Sequence, residues 1–134
     1  MNNDSKSNSL KEKFKQALIS TAKVISDDLG SENEREDNKS SKKFDFFNLE
    51  NLNSKSDFIK ARADSDSAAL KKKFSNDKIY KKNLPANTSC RSLYSIAEKI
   101  RYESLGGKML RGIEKNFQDN YNQIINSKRK DQLN

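Results

Sequence analysis

Apolar residues recur at intervals of three and four along most of this chain, which is the spacing of amphipathic helices. The first series predicts a helix from Ser9 to Leu29. Ser9 and Glu12 have the spacing of a capping box at its start, and Gly30 is a typical residue just after a helix end. The short polar stretch 1–8 before it predicts a disordered tail. The residues that share the apolar face are Leu10, Phe14, Ala17, Leu18, Thr21, Val24 and Ile25.

A second series predicts a helix over residues 55–75, with Ser54 or Ser56 as its N-cap. A polar residue interrupts the middle of its inner stripe, which is unusual for a face that packs on a core. A short helical turn capped by Asn76 follows and ends before Pro85, because the residue before a proline disfavours the helical region. The inner stripe consists of Ile59, Ala63, Asp66 or Ser67, Leu70 and Phe74.

The longest series predicts one continuous helix that begins near Thr88 or Ser89 and runs to about residue 126. Its spacing crosses Gly106 and Gly107 without losing phase, which favours one helix over two. The polar residues 127–134 predict a frayed end. The inner positions of this helix are Leu93, Ala97, Ile100, Ser104, Gly107, Leu110, Ile113, Phe117, Tyr121 and Ile124.

Two stretches between the helices have different patterns. Residues 31–43 contain no apolar side chain and carry four acidic and four basic groups, so they predict a flexible linker. The apolar residues 44–49, "FDFFNL", predict either a short strand or an extended segment that lies across a helix. The pattern therefore predicts a mainly α fold, with one small helical domain over residues 44–126 and a long C-terminal helix.

Three glycines interrupt the long helix, and each costs about 1 kcal/mol relative to alanine. Ser104 and Gly107 lie on its predicted inner stripe, where small residues allow a second backbone to approach closely. Gly106, Gly107 and Gly112 therefore indicate either a tight helix crossing or a hinge at the glycine pair.

Composition limits the size of the core and gives the chain a basic character. Of 134 residues, 32% are hydrophobic and 34% are charged, and the net charge of +8 invites a nucleic-acid interpretation. Lysines outnumber arginines 21 to 6, whereas phosphate forks favour arginine. The basic runs at 71–73, 81–82 and 128–130 are open to two interpretations, phosphate binding or simple solvation.

Residues that carry catalysis are scarce. The chain has no histidine, and Cys90 is its single cysteine, which fits a reducing, cytoplasmic location. "LGGKM" lacks the first glycine and the last hydroxyl of a P-loop, because Tyr102 and Met109 occupy those positions. Asp64 and Asp66 match no calcium-loop spacing. We therefore predict no catalytic, cofactor-binding or metal-binding residue in this chain.

Charged residues flank the glycine pair. Glu98, Arg101 and Glu103 lie close together on the predicted helix, and Arg101 borders the inner stripe. One interpretation is a solvated helix face on which Lys99 and Glu103 have a favourable spacing. The other is a partly desolvated arginine–carboxylate pair that fixes how this helix docks.

Three segments, read in order, resemble the N-terminal region of the CobT subunit of aerobic cobaltochelatase. "ARADSDSAALKKKFSND" resembles the family's R-G-x-A-D-S-x-A-L segment, with an insertion around Asp66 and the first glycine replaced near Arg62. "YKKNLPAN" resembles a basic stretch that ends in M/L-P-G-N, and "CRSLYSIAEKIRYESLGGKMLRGIEKNF" resembles a helix with E-x-x-R-x-E-x-x-G and G-x-x-x-N. The resemblance covers residues 44–120, whereas residues 1–43 match only in being helical and charged.

The resemblance implies candidate residues for partner contact or packing. They are Arg62, Asp64, Ser65, Glu98, Arg101, Glu103, Gly106, Gly107, Gly112, Lys115 and Asn116.

The resemblance also implies a function. The family's subunit assembles with an AAA+ ATPase, CobS, and this motor drives the large subunit CobN to insert cobalt into the corrin ring of hydrogenobyrinic acid a,c-diamide. ATP, magnesium and cobalt are then handled by the partner subunits. Because the family continues into an acidic region and an integrin-like domain that these residues lack, we expect an isolated N-terminal domain, a fragment or a split gene product. The alternative is a basic helical adaptor or nucleic-acid-binding protein.

Overall fold

The computed structural model of the chain describes residues 2–27 and 52–133, which form five helices and contain no strand. The predicted linker at 31–43 and the segment at 44–49 lie outside the described residues. The helices are α1 (Asn2–Ile25), α2 (Lys55–Phe74), α3 (Asp77–Lys82), α4 (Thr88–Met109) and α5 (Arg111–Leu133). The mainly α prediction is confirmed, and a long C-terminal helix, α5, is present.

Polar side chains fix the starts of three helices. Ser54 accepts a hydrogen bond from Asp57 N–H, and the Asp57 carboxylate accepts one from Ser54 N–H, so α2 begins with a capping box. The side-chain oxygens of Asn76 and Asn87 cap α3 and α4. The predicted starts of these helices are therefore confirmed. α1 begins at Asn2, whereas the sequence predicted a start at Ser9. The disorder expected for residues 1–8 stays a prediction.

α2 is the central helix, since it contacts α1, α4 and α5. α1 lies parallel to α2, because Phe14, halfway along α1, contacts Phe58 near the start of α2, and an Asp27–Lys73 ion pair joins the C-terminal ends. On α2 the predicted inner stripe is confirmed: the buried residues are Ala63, Asp66, Ser67 and Leu70, and the partly buried ones are Ile59 and Phe74.

The single helix predicted from residue 88 to about 126 is wrong, because the chain folds back at Leu110. This residue has extended backbone angles (φ −140°, ψ 116°) and separates α4 from α5. Its carbonyl accepts hydrogen bonds from the N–H groups of Ile113 and Glu114, at 3.0 and 3.4 Å, and so begins α5. We call α4 and α5 the hairpin. Neither glycine of the pair forms the turn.

The hairpin buries a different set of residues from the predicted stripe. Ile113 and Phe117 are buried and Gly107 is partly buried, as predicted. The other members of the stripe are exposed, and Leu93 and Ile100 are 68% and 57% exposed. The core cluster consists of Ala22, Ile25, Ala63, Ala69, Leu70, Tyr102, Ile113 and Phe117. Within the described part of the chain, no helix has the length and apolarity needed to cross a membrane.

Candidate interaction site on the helical hairpin

Leu70 of α2 packs directly on the backbone of α4 at Gly106. A Cβ atom at Gly106 would lie 2.9 Å from Leu70 Cγ and closer still to both of its methyl groups. Leu70 is fully buried, so it has little room to move. A tight helix crossing is therefore present, and Gly106 forms it; Ser104, which was predicted to be at the crossing, is exposed.

The other two glycines lie in different surroundings. A Cβ atom at Gly107 would lie 3.3 Å from Glu114 Cβ, inside the hairpin, whereas one at Gly112 would meet no atom within 4 Å. Lys115 is exposed on α5. Gly112 and Lys115 therefore lie outside the contacts that join the hairpin to α2.

Glu103 is a buried carboxylate at the junction of α2, α4 and α5. Its Oε1 accepts a hydrogen bond from Ser67 Oγ at 2.6 Å, and its Oε2 accepts one from the Tyr121 hydroxyl at 2.6 Å. Lys99 Nζ lies 3.8 Å from Oε1. Both oxygens therefore have donors, as a buried charge requires, and one side chain joins three helices.

Glu98 and Arg101 join α4 to the C-terminal end of α2. The guanidinium of Arg101 donates two hydrogen bonds of 2.8 Å to the Glu98 carboxylate and one of 2.7 Å to the Phe74 carbonyl. Ser75 Oγ donates to Glu98 Oε1 at 2.6 Å. The structure contains the docking pair, and it also contains the Lys99–Glu103 pair of the other interpretation.

The Arg101 pair predicts an acid-dependent loss of stability. Hydrogen bonds from Arg101 lower the pKa of Glu98 from 4.5 to about 2. A lowered pKa means that the pair stabilises the fold above pH 4.5 and that this contribution is lost as the pH falls through 2. We expect Arg101→Ala to reduce the free energy of unfolding by about 1 kcal/mol at pH 7, since the pair is partly exposed.

Urea titrations at pH 7, 4 and 2 measure this effect. The difference between Arg101→Ala and wild type should shrink as the pH approaches 2. Arg111→Ala removes an exposed arginine of α5 and serves as the control, with a change within about 0.5 kcal/mol at each pH. A difference for Arg101→Ala that is independent of pH would contradict the role of Glu98.

Asp66 is the polar residue in the middle of the α2 stripe, and it is buried. Asn116 Nδ2 of α5 donates a hydrogen bond to Asp66 Oδ2 at 2.7 Å. Arg62 lies over the Phe14 ring, with 5.7 Å from Cζ to the ring centroid, and also attracts the Asp66 carboxylate. The neighbouring Asp64 pairs with Lys60 on the surface of α2, at 3.1 Å. Asp66 and Asn116 thus join α2 to α5.

Burial raises the pKa of Asp66 above its ordinary value of 3.8, and the hydrogen bond from Asn116 only partly opposes that rise. A raised pKa means that the stability contribution of this group is complete below pH 3.8 and is lost as the pH rises through the folded-state pKa. Asp66→Asn removes the buried charge and keeps an oxygen that accepts from Asn116. We therefore expect it to increase the free energy of unfolding at pH 7 by about 0.5–1 kcal/mol.

Thermal melts at pH 7 and pH 3.5 measure the effect of Asp66→Asn. The gain should be larger at pH 7, where the wild-type carboxyl is ionised. Asp64→Asn, on the exposed side of the same helix, is the matched control and should change stability little at either pH. A loss of stability in Asp66→Asn at pH 7 would show that the charge itself is needed.

Several partners in these contacts were missed by the sequence analysis. Tyr121 was predicted to be an apolar stripe member, and Ser67 and Ser75 carried no signal beyond their position on or after α2. Ser65, which was a candidate, is buried, and its Oγ has no hydrogen-bond partner among the described residues. The interruption of the α2 stripe was the one available signal, because buried polar side chains need partners.

The face of the hairpin that α2 leaves uncovered forms a groove. Its volume is about 750 Å³, and its walls are one side of α4 and one side of α5. Ile96 and Ile100 are 55% and 57% exposed there, and Tyr121 is 39% exposed. We call this surface the groove. Its lining residues are Ile96, Lys99, Ile100, Glu103, Ser104, Gly107, Lys108, Glu114, Phe117, Gln118, Tyr121 and Asn122.

The polar side chains of the site form structural contacts between helices. Glu103 and Asp66 accept hydrogen bonds from side chains of neighbouring helices, and these contacts hold α2, α4 and α5 together. In the described ranges 2–27 and 52–133, no three potential ligands among His, Cys, Asp and Glu are grouped around a point where a metal ion could bind. What the arrangement presents to other molecules is the apolar groove.

Comparison with known proteins identifies one family. The family model described as "Cobalamin biosynthesis protein CobT" matches residues 8–134, which is nearly the whole chain. No curated protein and no solved structure shows a significant match.

Proposed function

The chain belongs to the CobT family of cobalamin biosynthesis proteins, and from this premise we propose that it is a non-catalytic part of a cobaltochelatase. In this proposal it assembles with an AAA+ ATPase subunit of the CobS type. The assembly drives a large CobN-type subunit to insert cobalt(II) into the corrin ring of hydrogenobyrinic acid a,c-diamide. The match over residues 8–134 is the observation that carries the proposal.

The hairpin supports an assembly role in two ways. The polar residues that could otherwise take part in chemistry, Glu98, Arg101 and Glu103, are engaged in holding α4 on α2. The large aliphatic side chains of the groove, by contrast, are left in contact with water, and exposed apolar patches of this kind are typical of interaction surfaces. ATP with its magnesium, and cobalt as the substrate, are then bound by the partner subunits in the cytoplasm.

Co-purification and reconstitution test this function. The 134-residue chain is co-expressed with the AAA+ ATPase and large subunits from the same genome, and a tag on the chain is used for capture. We expect the ATPase subunit to co-purify, and we expect ATP-dependent cobalt insertion to be lost when the chain is omitted. Cobalt insertion at an unchanged rate without the chain, together with no co-purification, would overturn the proposal.

The same preparation separates this function from the basic nucleic-acid-binding alternative. An assembly subunit should not bind DNA at physiological salt. A nucleic-acid-binding protein should bind it with an affinity that falls steeply as salt increases, because counterions are released from the phosphates.

A further inference from the structure

The groove has an aliphatic wall that no described residue covers. Ile96 and Ile100 lie one turn apart on α4, and Leu93 continues the same side of this helix toward its start. The three side chains are each more than half exposed. Because isolated exposed apolar residues are common but a continuous row of them is not, this row is a candidate binding surface.

The charged residues around the groove are unequal in what they can offer a partner. Lys108 lies at the lining of the groove and is exposed. Lys99 is about half exposed and also lies 3.8 Å from the Glu103 carboxylate. Of the two lining carboxylates, Glu103 is buried and already accepts from Ser67 and Tyr121. Glu114 is therefore the one lining carboxylate in contact with solvent. The hairpin as a whole, residues 88–133, carries nine Lys and Arg against five Asp and Glu.

We propose that the groove binds an amphipathic helix of a partner protein, whose aliphatic stripe is flanked by Asp and Glu residues. The aliphatic stripe would cover Ile96 and Ile100, and the flanking carboxylates would lie near Lys99 and Lys108. This is the helix-in-groove mode of recognition, in which residues spaced three and four apart enter an apolar groove. The proposal deepens the assembly function above and rests on it, since it specifies the chemistry of the partner surface.

Charge argues against two other occupants. A second copy of this chain would bring another molecule with a net charge of +8 to a basic rim, so self-association is opposed by repulsion. A nucleic acid would need several phosphate-binding side chains along the groove, whereas Lys99 and Lys108 are the two basic residues among those that line it. An acidic amphipathic helix satisfies both the apolar wall and the basic rim.

Two fluorescent peptides of about 15 residues, long enough for the three to four turns of the groove, test the proposal directly. Both carry leucines at positions i, i+3, i+4 and i+7; one has Glu at the flanking positions and the other has Lys. We expect the Glu-flanked peptide to bind the full chain at least about tenfold more tightly than the Lys-flanked peptide, with a preference that weakens as salt increases.

Variants of the chain locate the binding. Ile100→Glu should weaken binding of the Glu-flanked peptide by about tenfold or more, because it places a like charge on the apolar wall. Lys99→Glu combined with Lys108→Glu should remove the preference for the Glu-flanked peptide. Ile79→Glu on α3, where the isoleucine is 60% exposed and lies outside the groove lining, is the matched control and should bind as wild type. Circular dichroism melts confirm that each variant is folded.

Several outcomes would overturn the proposal. Equal affinity for both peptides, or unchanged binding by Ile100→Glu, would rule out the acidic helix in this groove. Dimers in sedimentation that Ile100→Glu dissociates would identify a second copy as the occupant. Peptide binding that appears only after Phe44, Phe46 and Phe47 are changed to Ser would identify the chain's own segment 44–49 as the occupant of the groove. If the Ile100→Glu variant still co-purifies with the ATPase subunit, the groove proposal fails and the assembly function stands. If the wild-type chain itself co-purifies with no subunit, the assembly function fails.

Discussion

Gly106→Ala is expected to lower the free energy of unfolding by about 2 kcal/mol, although alanine is the better helix former. The added Cβ would lie within 2.9 Å of Leu70 Cγ, and Leu70 is fully buried between helices. Overpacking of a closed core costs about 1–3 kcal/mol, and overlap with three Leu70 atoms places this substitution at the upper end. The gain of about 1 kcal/mol in helix propensity offsets only part of that cost. Denaturant titration followed by circular dichroism measures the difference.

The two other glycines provide matched controls for this substitution. Gly112→Ala meets open space, so stability should stay the same or rise by up to about 1 kcal/mol. Gly107→Ala would place its Cβ 3.3 Å from Glu114 Cβ, so its change in stability should lie between those of Gly106→Ala and Gly112→Ala. Combining Gly106→Ala with Leu70→Ala should cost less than the sum of the single substitutions, because the overlap is removed. If all three glycines tolerate alanine equally, the close crossing of α2 and α4 is not present in solution.

Glu103→Ala is expected to destabilise the fold by about 3 kcal/mol. The substitution leaves Ser67 and Tyr121 without the acceptor that both hydroxyls now share, and it removes the partner of Lys99. Loss of one member of a buried, charged hydrogen-bond network costs about 3–5 kcal/mol, and access of water to Tyr121 from the groove places the value at the lower end. Denaturant titration again provides the measurement.

Glu114→Ala is the control for Glu103→Ala, because Glu114 is an exposed glutamate of the same hairpin and its loss should cost less than about 1 kcal/mol. Tyr121→Phe removes only one of the two hydrogen bonds and should cost about 1 kcal/mol. Equal effects of Glu103→Ala and Glu114→Ala would show that the junction of the three helices is open to water.

Local signals in the sequence predicted the central helix well. The cap at Ser54 and the inner residues Ala63 and Leu70 follow from the spacing and from side-chain oxygens just before a helix start. The buried Asp66 also appeared as an interruption of the stripe, although its partner Asn116 lies 50 residues away. Short-range periodicity contains no information about which distant residue supplies a hydrogen bond.

Apolar periodicity could not predict the hairpin, because the one-residue turn at Leu110 does not disturb the apolar spacing. Residues on either side of Leu110 continue at intervals of three and four, so a straight helix and a hairpin have the same pattern. Only tertiary contacts separate them: the carboxylate of Glu103 and the hydroxyl of Tyr121 are 2.6 Å apart, whereas a straight helix would separate these residues by about 27 Å. The apolar stripe was therefore assigned to a core, although much of it lines the open groove.

The candidate site was likewise predicted in its local features but not in its tertiary contacts. Glu98, Arg101 and Glu103 were recognised as a group because they lie within six residues of each other and border the glycine pair. Their partners Ser75 and Ser67 lie on or just after α2, and their role depends on how α2 crosses α4. The family resemblance seen over residues 44–120 is confirmed by the family model, which matches residues 8–134, but it did not predict this crossing.

All contacts of the site, and the groove itself, require that the chain fold back at Leu110. The most direct test is a distance between spin labels at Lys99 and Asn122, in a chain with Cys90→Ser, measured by pulsed electron paramagnetic resonance. Both residues line the groove, so a chain that folds back at Leu110 should give a distance below about 25 Å. A distance near 35 Å, the separation of these residues in one straight helix, would contradict it.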